Sequence, residues 1–354
     1  MQCFASRLLP ALLVLLVPAT FSPAQVQGPP AYEKDPEFQR LKLEAQKLEH
    51  NPSYLTFVTD AWKKANVKAG GHCMECSKGM VLAATRLGDG RHAIQFAHEM
   101  DAAAERTVDH VSAKLLLGQA TLALINNRKP DEHLLQEAHK ALQEAEPAAL
   151  SAYFYDGRVL SLLHQDEAAA ASFRAYAEKT RQDDTMLARA QHFAARPELA
   201  RMDMAPAMAF TTLAGKHFNL DAMNGRVVLI DFWSTWCGPC KQELPHLKKL
   251  AAQYANQPFE LISISWDDDE TAWKQYVAAN GMTWNQYRDA DHSLANLFGI
   301  NSIPHFFTID ANGVLAAEDV GSGSNLDGRI RKLVAQAREP VPSELSVRPS
   351  VAGE

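Results

Sequence analysis

The 354-residue chain predicts two unlike halves, an α-helical repeat domain followed by an α/β domain with a central mixed sheet flanked by helices. Three observations carry that division. Residues 32–198 are rich in Ala, Leu, Glu, Gln and Lys, with apolar residues at helical spacing and almost no strand-like alternation. Proline then returns between Arg196-Pro197 and Pro206, and the helical pattern stops. Residues 203–338 carry short apolar and aromatic runs of strand length. The length is too great for one typical domain and suits two.

The first residues read as an export signal. Arg7 supplies a sparse positive region, Leu8 to Val17 is an apolar run broken by Pro10, and Ser22-Pro23-Ala24 offers a cleavage site, giving a signal peptide over 1–24. The run is short for a membrane span, which needs about 20 residues. An uncleaved membrane anchor is the alternative. Cys3 precedes the apolar run, where it is badly placed for lipid attachment, and would leave with the signal. The expected destination is an oxidising compartment, the bacterial periplasm. A net charge of −7 and the lack of any long basic block argue against a nucleic-acid partner.

In the helical half, Gly79, Gly118 and Gly157 recur 39 residues apart, each in an Ala/Leu-rich helix followed by a turn and a second helix. The clearest unit runs from Leu150 to Arg181, with Tyr153, Gly157, Leu160, Ala169 and Phe173 as its aromatic, small and large positions. It resembles the tetratricopeptide repeat family, in which a small residue lets two antiparallel helices approach closely. The other units depart from that pattern, with insertions such as Asn126-Asn127-Arg128-Lys129-Pro130, and a generic array of helical hairpins satisfies most of the same positions. Either array would offer a concave surface to a protein partner.

Past the seam, Ala209 to Leu213 and Lys216 to Leu220 flank Gly215 as a β-hairpin. Val227 to Trp233 is a near-continuous apolar run, the mark of a strand buried on both faces. Further strands are expected at Phe259 to Trp266, Phe306 to Ile309 and Val314 to Ala317, with a helix over Glu270 to Ala279 and a hairpin turn at Asp310-Ala311-Asn312-Gly313. Residues 339–354 read as a solvated tail.

Without Cys3 the cysteines form two Cys-x-x-Cys pairs, Cys73/Cys76 and Cys237/Cys240. The second pair lies where the strand Val227 to Trp233 gives way to a helix that runs through Leu250. A helix N-terminus favours negative charge, and there a free thiol's pKa falls from about 8.5 to about 3.5–7.5. Cys237 is therefore the expected nucleophile. Cys240, one turn inside and more shielded, is the expected resolving thiol.

Asp231-Phe232-Trp233, Trp236-Cys237-Gly238-Pro239-Cys240-Lys241 and Pro245 resemble thioredoxin. Glu243, the preceding hairpin, Asp267-Asp268-Asp269 before a helix with Trp273 and Tyr276, and Ser302-Ile303-Pro304 narrow the resemblance to the TlpA/ResA-like family of exported reductases. The resemblance implies a thiol-disulfide oxidoreductase without a cofactor, acting on a disulfide-containing protein and recharged by an upstream thiol donor. It implies a cis Pro304 facing the cysteines, with the backbone of Ile303 pairing an incoming peptide; a trans proline at a strand edge is the alternative. Trp236, Gly238 and Pro239 complete the expected substrate-binding surface, Trp236 alternatively serving in core packing. Asp231 would accept the proton of Cys240, or else be a solvated strand-end residue. No Lys stands in the strand beginning at Phe259 where thioredoxin pairs one with its buried Asp, and His305, which follows the proline, is expected to be exposed, substrate contact being the alternative. Gly238-Pro239 resembles reducing members of the fold. The rivals are a repeat-based interaction protein with a structural or vestigial cysteine pair, and a thiol peroxidase, which would need a Pro-x-x-x-Thr-x-x-Cys run that is missing.

Cys73 and Cys76, in His72-Cys73-Met74-Glu75-Cys76-Ser77, sit one turn apart at a predicted helix start after Gly70-Gly71. Three readings stay open: a static disulfide, a redox partner of Cys237/Cys240, or a metal site drawing on His72, His92 and His98. Covalent haem is disfavoured because Ser77 stands where that motif needs His. Elsewhere no metal site is expected.

Overall fold

The computed structural model describes residues 30–49, 54–125, 131–180, 185–223, 225–323 and 325–338. The proposed signal segment, the 126–130 insertion and the 339–354 tail lie outside the described residues. Within them the predicted division holds: a helical half leads into an α/β half.

The helical half comprises α1 (Pro36–Glu49), α2 (Leu55–Lys68), α3 (Met74–Arg86), α4 (Gly90–Ala103), α5 (Thr107–Ile125), α6 (Glu132–Ala145), α7 (Leu150–Leu162), α8 (Asp166–Lys179) and α9 (Thr185–Ala195). Each packs mainly on its neighbours in the chain, as expected of a stacked array whose core is continuous only through successive contacts. The three spaced glycines are the points of closest helix approach. A Cβ on Gly118 would lie 2.6 Å from Leu142 of α6, and one on Gly157 would lie 2.7 Å from Phe173 of α8. Both face the second helix of their own hairpin. Gly79 instead faces backwards, with its Cβ position 2.5 Å from Trp62 of α2. The regular spacing therefore combines two different packing arrangements.

The α/β half begins with the hairpin β1 (Ala209–Thr211) and β2 (His217–Asn219). The main sheet contains β3 (Val227–Trp233), β4 (Phe259–Ser265), β5 (Asn285–Arg288), β6 (His305–Ile309) and β7 (Leu315–Val320), in the order β5-β4-β3-β6-β7. Strands β4 and β5 run parallel to their inner neighbours and β6 and β7 antiparallel, the thioredoxin-like arrangement. Helices α10 (Gly238–Gln253), α11 (Glu270–Ala279), α12 (Ser293–Leu297) and α13 (Leu326–Arg338) complete it.

The central strand β3 is buried along its whole length, which explains its apolar run. Its two-residue alternation sends Val228, Ile230 and Phe232 towards the hairpin and α12. Val227 and Leu229 pack instead against Leu247 and Leu250 of α10 and Leu326 and Ile330 of α13. Asp231 and Trp233 share that second parity. The sheet thus directs a carboxyl group towards the helix that carries the cysteines.

The halves are joined by polar and apolar contacts. Arg189 of α9 donates to Asp221 at 2.7 Å and to the carbonyl of Ala205 at 2.6 Å, while Arg196 donates to Asn312 at 2.6 Å. Met204 and Val314 pack on the aromatic cluster formed by Phe154, Phe173 and Phe193.

Candidate active site

Strand β3 ends at Trp233, and the turn Ser234-Thr235-Trp236 delivers Cys237 to the N-cap of α10. Cys237 is extended, with φ −81° and ψ 106°, and its Sγ accepts the Cys240 backbone N–H at 3.1 Å. Pro239 occupies the first helical turn, where its missing N–H leaves no bond unmade. The two cysteines form a disulfide with a Cα–Cα distance of 5.3 Å. Both are 5% exposed, so the shielding expected of Cys240 alone extends to Cys237 in this disulfide state.

The turn before Cys237 is tied down by a residue that the sequence did not single out for this role. The Asp267 carboxylate accepts the Thr235 backbone N–H at 3.0 and 3.1 Å, the Thr235 hydroxyl at 2.6 Å and the Ser265 hydroxyl at 2.7 Å. Two positions on, Asp269 caps α11 by accepting from Thr271 and Ala272. The acidic run therefore divides its work between the turn before Cys237 and the cap of α11.

Beneath the disulfide, Asp231 is 2% exposed and accepts the Ser263 hydroxyl at 2.8 Å. Trp284 Nε1 in turn donates to that hydroxyl at 2.9 Å. Burial pushes the Asp231 carboxyl up to about 7; the Ser263 bond opposes this and the Glu243 charge adds to it. The solvated reading of Asp231 does not fit this environment. Ser263 is its register partner on β4, so a hydroxyl stands beside the carboxyl on the strand that lacks a Lys. A cavity of about 10 Å³ is lined by both Asp231 and Cys240, with Lys241 and Tyr276 among the others. That volume is on the order of one water molecule.

Opposite the pair, the Ile303–Pro304 peptide is cis, and Ile303 packs on the cluster containing Cys237 and Cys240. Trp236 is 64% exposed, which rules out core packing for it. A Cβ on Gly238 would meet nothing within 4 Å, so that face is open. His305 corrects an expectation: it is buried, stacked on Phe307 at 4.9 Å, with Nε2 2.8 Å from Glu318. The register of β6 places it between Phe232 of β3 and Val320 of β7. Glu243 accepts the Gly323 backbone N–H at 2.8 Å and so links α10 to the loop before α13.

The other pair repeats the local geometry in different surroundings. Cys73 caps α3, its Sγ accepts the Cys76 N–H at 3.1 Å, and the disulfide spans a Cα–Cα distance of 5.2 Å. Cys73 and Cys76 are 2% and 0% exposed, in the core with Trp62 and Met80. The Cys73 N–H is held by Asn66 at 3.1 Å. Among the described residues, no group of three or more His, Cys, Asp or Glu side chains is placed to hold a metal.

A profile of the AhpC/TSA family matches residues 202–318, which contain this site. The chain is similar to the thiol-disulfide oxidoreductase ResA of Bacillus thuringiensis strain Al Hakam, 29% identical over 131 residues, covering 36% of this chain and 76% of that protein. With ResA of B. thuringiensis subsp. konkukian it is 30% identical over 117 residues, covering 33% of this chain and 68% of the relative. The chain belongs to the ResA-like family of thiol-disulfide oxidoreductases. Among solved structures it is similar to a putative thiol:disulfide interchange protein DsbE from Chlorobium tepidum, at 26% identity and TM-score 0.35, covering 38% of this chain and 96% of that one. The ResA-like assignment rests on the α/β half, and the helical half lies outside the matched profile.

Proposed function

We propose that this ResA-like enzyme is exported and reduces disulfides of partner proteins through Cys237 and Cys240. The observation that carries the proposal is the stack of Cys237 at a helix N-cap, Cys240 one turn on, and a buried Asp231 with a pKa near 7 lining the same water-sized cavity as Cys240. In the dithiol form, Cys237 thiolate attacks one sulfur of the substrate disulfide and releases the other as a thiolate, which takes a proton from solvent. Cys240 then gives up its proton, with Asp231 as the acceptor, and attacks Cys237 Sγ. The substrate leaves with both sulfurs reduced and the enzyme is left with the Cys237–Cys240 bond. An upstream dithiol returns two electrons to close the cycle.

The exposed Trp236, the open Gly238-Pro239 turn and the Ile303–Pro304 segment form the surface that receives the substrate backbone. Gly238-Pro239 favours the reducing direction, by resemblance to reducing members of the fold. Export is supported by the Arg7 and Leu8–Val17 pattern, with the periplasm as its destination. Residues 203–338 form the exchange domain, and the tetratricopeptide-like residues 32–198 position a protein partner. Cys240→Ser tests the central step. It should accumulate partner proteins as mixed disulfides on Cys237, whereas recovery of the variant without adducts from cells containing its substrates would contradict the mechanism.

A further inference from the structure

A cavity at the seam between the two halves has a volume of about 660 Å³. Such a volume falls in the range of small-molecule sites, about 300–1,000 Å³. Two helices of the helical half and the segment 200–207 build its wall. From α7 come Phe154 and Arg158, one turn apart, and from α9 come Met186, Arg189 and Phe193 at i, i+3 and i+7. Leu297 of α12 closes it from the α/β half.

The arginines in this wall are not equivalent. Arg189 is committed to Asp221 and the Ala205 carbonyl, and Arg201 is committed to Asp166. Arg158, part-buried and lining the cavity, makes no hydrogen bond or ion pair with any described residue. Asp203, the one carboxylate among the described residues of the wall, is exposed and forms no ion pair with it. Burial, and then the neighbouring Arg189 charge, push the Arg158 guanidinium below its ordinary pKa, with Tyr155 opposing. A guanidinium that faces a cavity with its donors unused is placed to take an anion.

We propose that the seam between the helical and α/β halves binds an amphipathic organic carboxylate, its acid group paired with Arg158 and its apolar body lying against Phe154, Phe193 and Met186. The fixed guanidinium fork suits a carboxylate, which it can hold through two parallel bonds. The aromatic and thioether side chains suit a hydrocarbon or ring body. Both halves line the cavity, so the ligand would contact each of them. The site is separate from Cys237 and Cys240 and makes no claim on the thiol chemistry.

The test is isothermal titration of the full chain with decanoate and, in parallel, with 1-decanol. Decanoate should bind saturably at one per chain, and decanol at least tenfold more weakly. Arg158→Lys, which keeps the charge but loses the fork, should bind decanoate more weakly than the parent and more tightly than Arg158→Met, which should lose at least tenfold. Arg158→Met should also melt no lower than the parent, because it removes an unpaired charge, and should keep its thiol-exchange activity. Absence of saturable decanoate binding, equal affinity for decanol, or full binding by a folded Arg158→Met would each overturn the proposal. If Arg158→Met fails to fold, the decanoate-to-decanol ratio of the parent decides alone.

Discussion

The two cysteine pairs differ far more in setting than in shape. In both, the first cysteine caps a helix, its sulfur accepts the N–H three residues on at 3.1 Å, and the Cα atoms lie 5.2 or 5.3 Å apart. Cys73–Cys76 is enclosed by Trp62, Met80 and their neighbours in the core of the helical half. Cys237–Cys240 has an exposed Trp236 at its edge, a cis Pro304 across from it and Asp231 below. A Cys-x-x-Cys helix start thus supplies the geometry of exchange. Around the second pair the fold adds an exposed Trp236 at its edge and a buried carboxyl lining the same small cavity as Cys240.

The largest effect that would break this comparison is on activity. Cys237→Ser should lower disulfide reduction with a thiol donor by at least about 10³-fold, whereas Cys73→Ala/Cys76→Ala should leave it within a few-fold of the parent. An insulin-reduction assay distinguishes the two. Asp231→Asn should slow the resolving step by about 10²-fold, visible as longer-lived mixed disulfides in rapid-quench experiments.

The same carboxyl also gives a pH signature. Its folded pKa of about 7 exceeds its ordinary 3.8, so the folded state holds the proton more tightly. Its contribution to stability is full below pH 3.8 and falls as pH rises through 7, by about 4 kcal/mol in all. Denaturant titrations at pH 5 and pH 8.5 should therefore show a smaller loss with pH in Asp231→Asn than in the parent.

On the helical side the effects concern stability. Gly79→Ala would place its Cβ 2.5 Å from Trp62 and should cost about 1–3 kcal/mol, read by urea denaturation. Removing both Cys73 and Cys76 as alanines should cost about 2 kcal/mol, from the chain entropy of a four-residue loop. A much larger drop in activity than in stability would mean that this pair takes part in exchange.

The sequence made β3, α11 and the first hairpin legible because each is decided locally, by an apolar run, an acidic cap or a glycine turn. It left β5 unseen, since Asn285-Gln286-Tyr287-Arg288 is polar and becomes a strand by pairing with the edge of β4. Helix α13 was missed although Leu326, Ile330 and Val334 recur at helical spacing. The cysteines, Asp231 and Pro304 were readable from motif order. Asp267 and the buried His305 were not, because their roles depend on residues 32 and 13 positions away. The backward packing of Gly79 was likewise invisible, since even spacing does not reveal which neighbour a helix face meets.

The most direct test of the comparison is a redox titration of the folded chain in dithiothreitol buffers, with alkylation and peptide mass spectrometry scoring each pair separately. Cys237–Cys240 should open and close reversibly in a single two-electron step, while Cys73–Cys76 remains oxidised until the chain is unfolded. Reduction of Cys73–Cys76 in the native protein at the same rate as Cys237–Cys240, or no reversible step at Cys237–Cys240, would contradict the account.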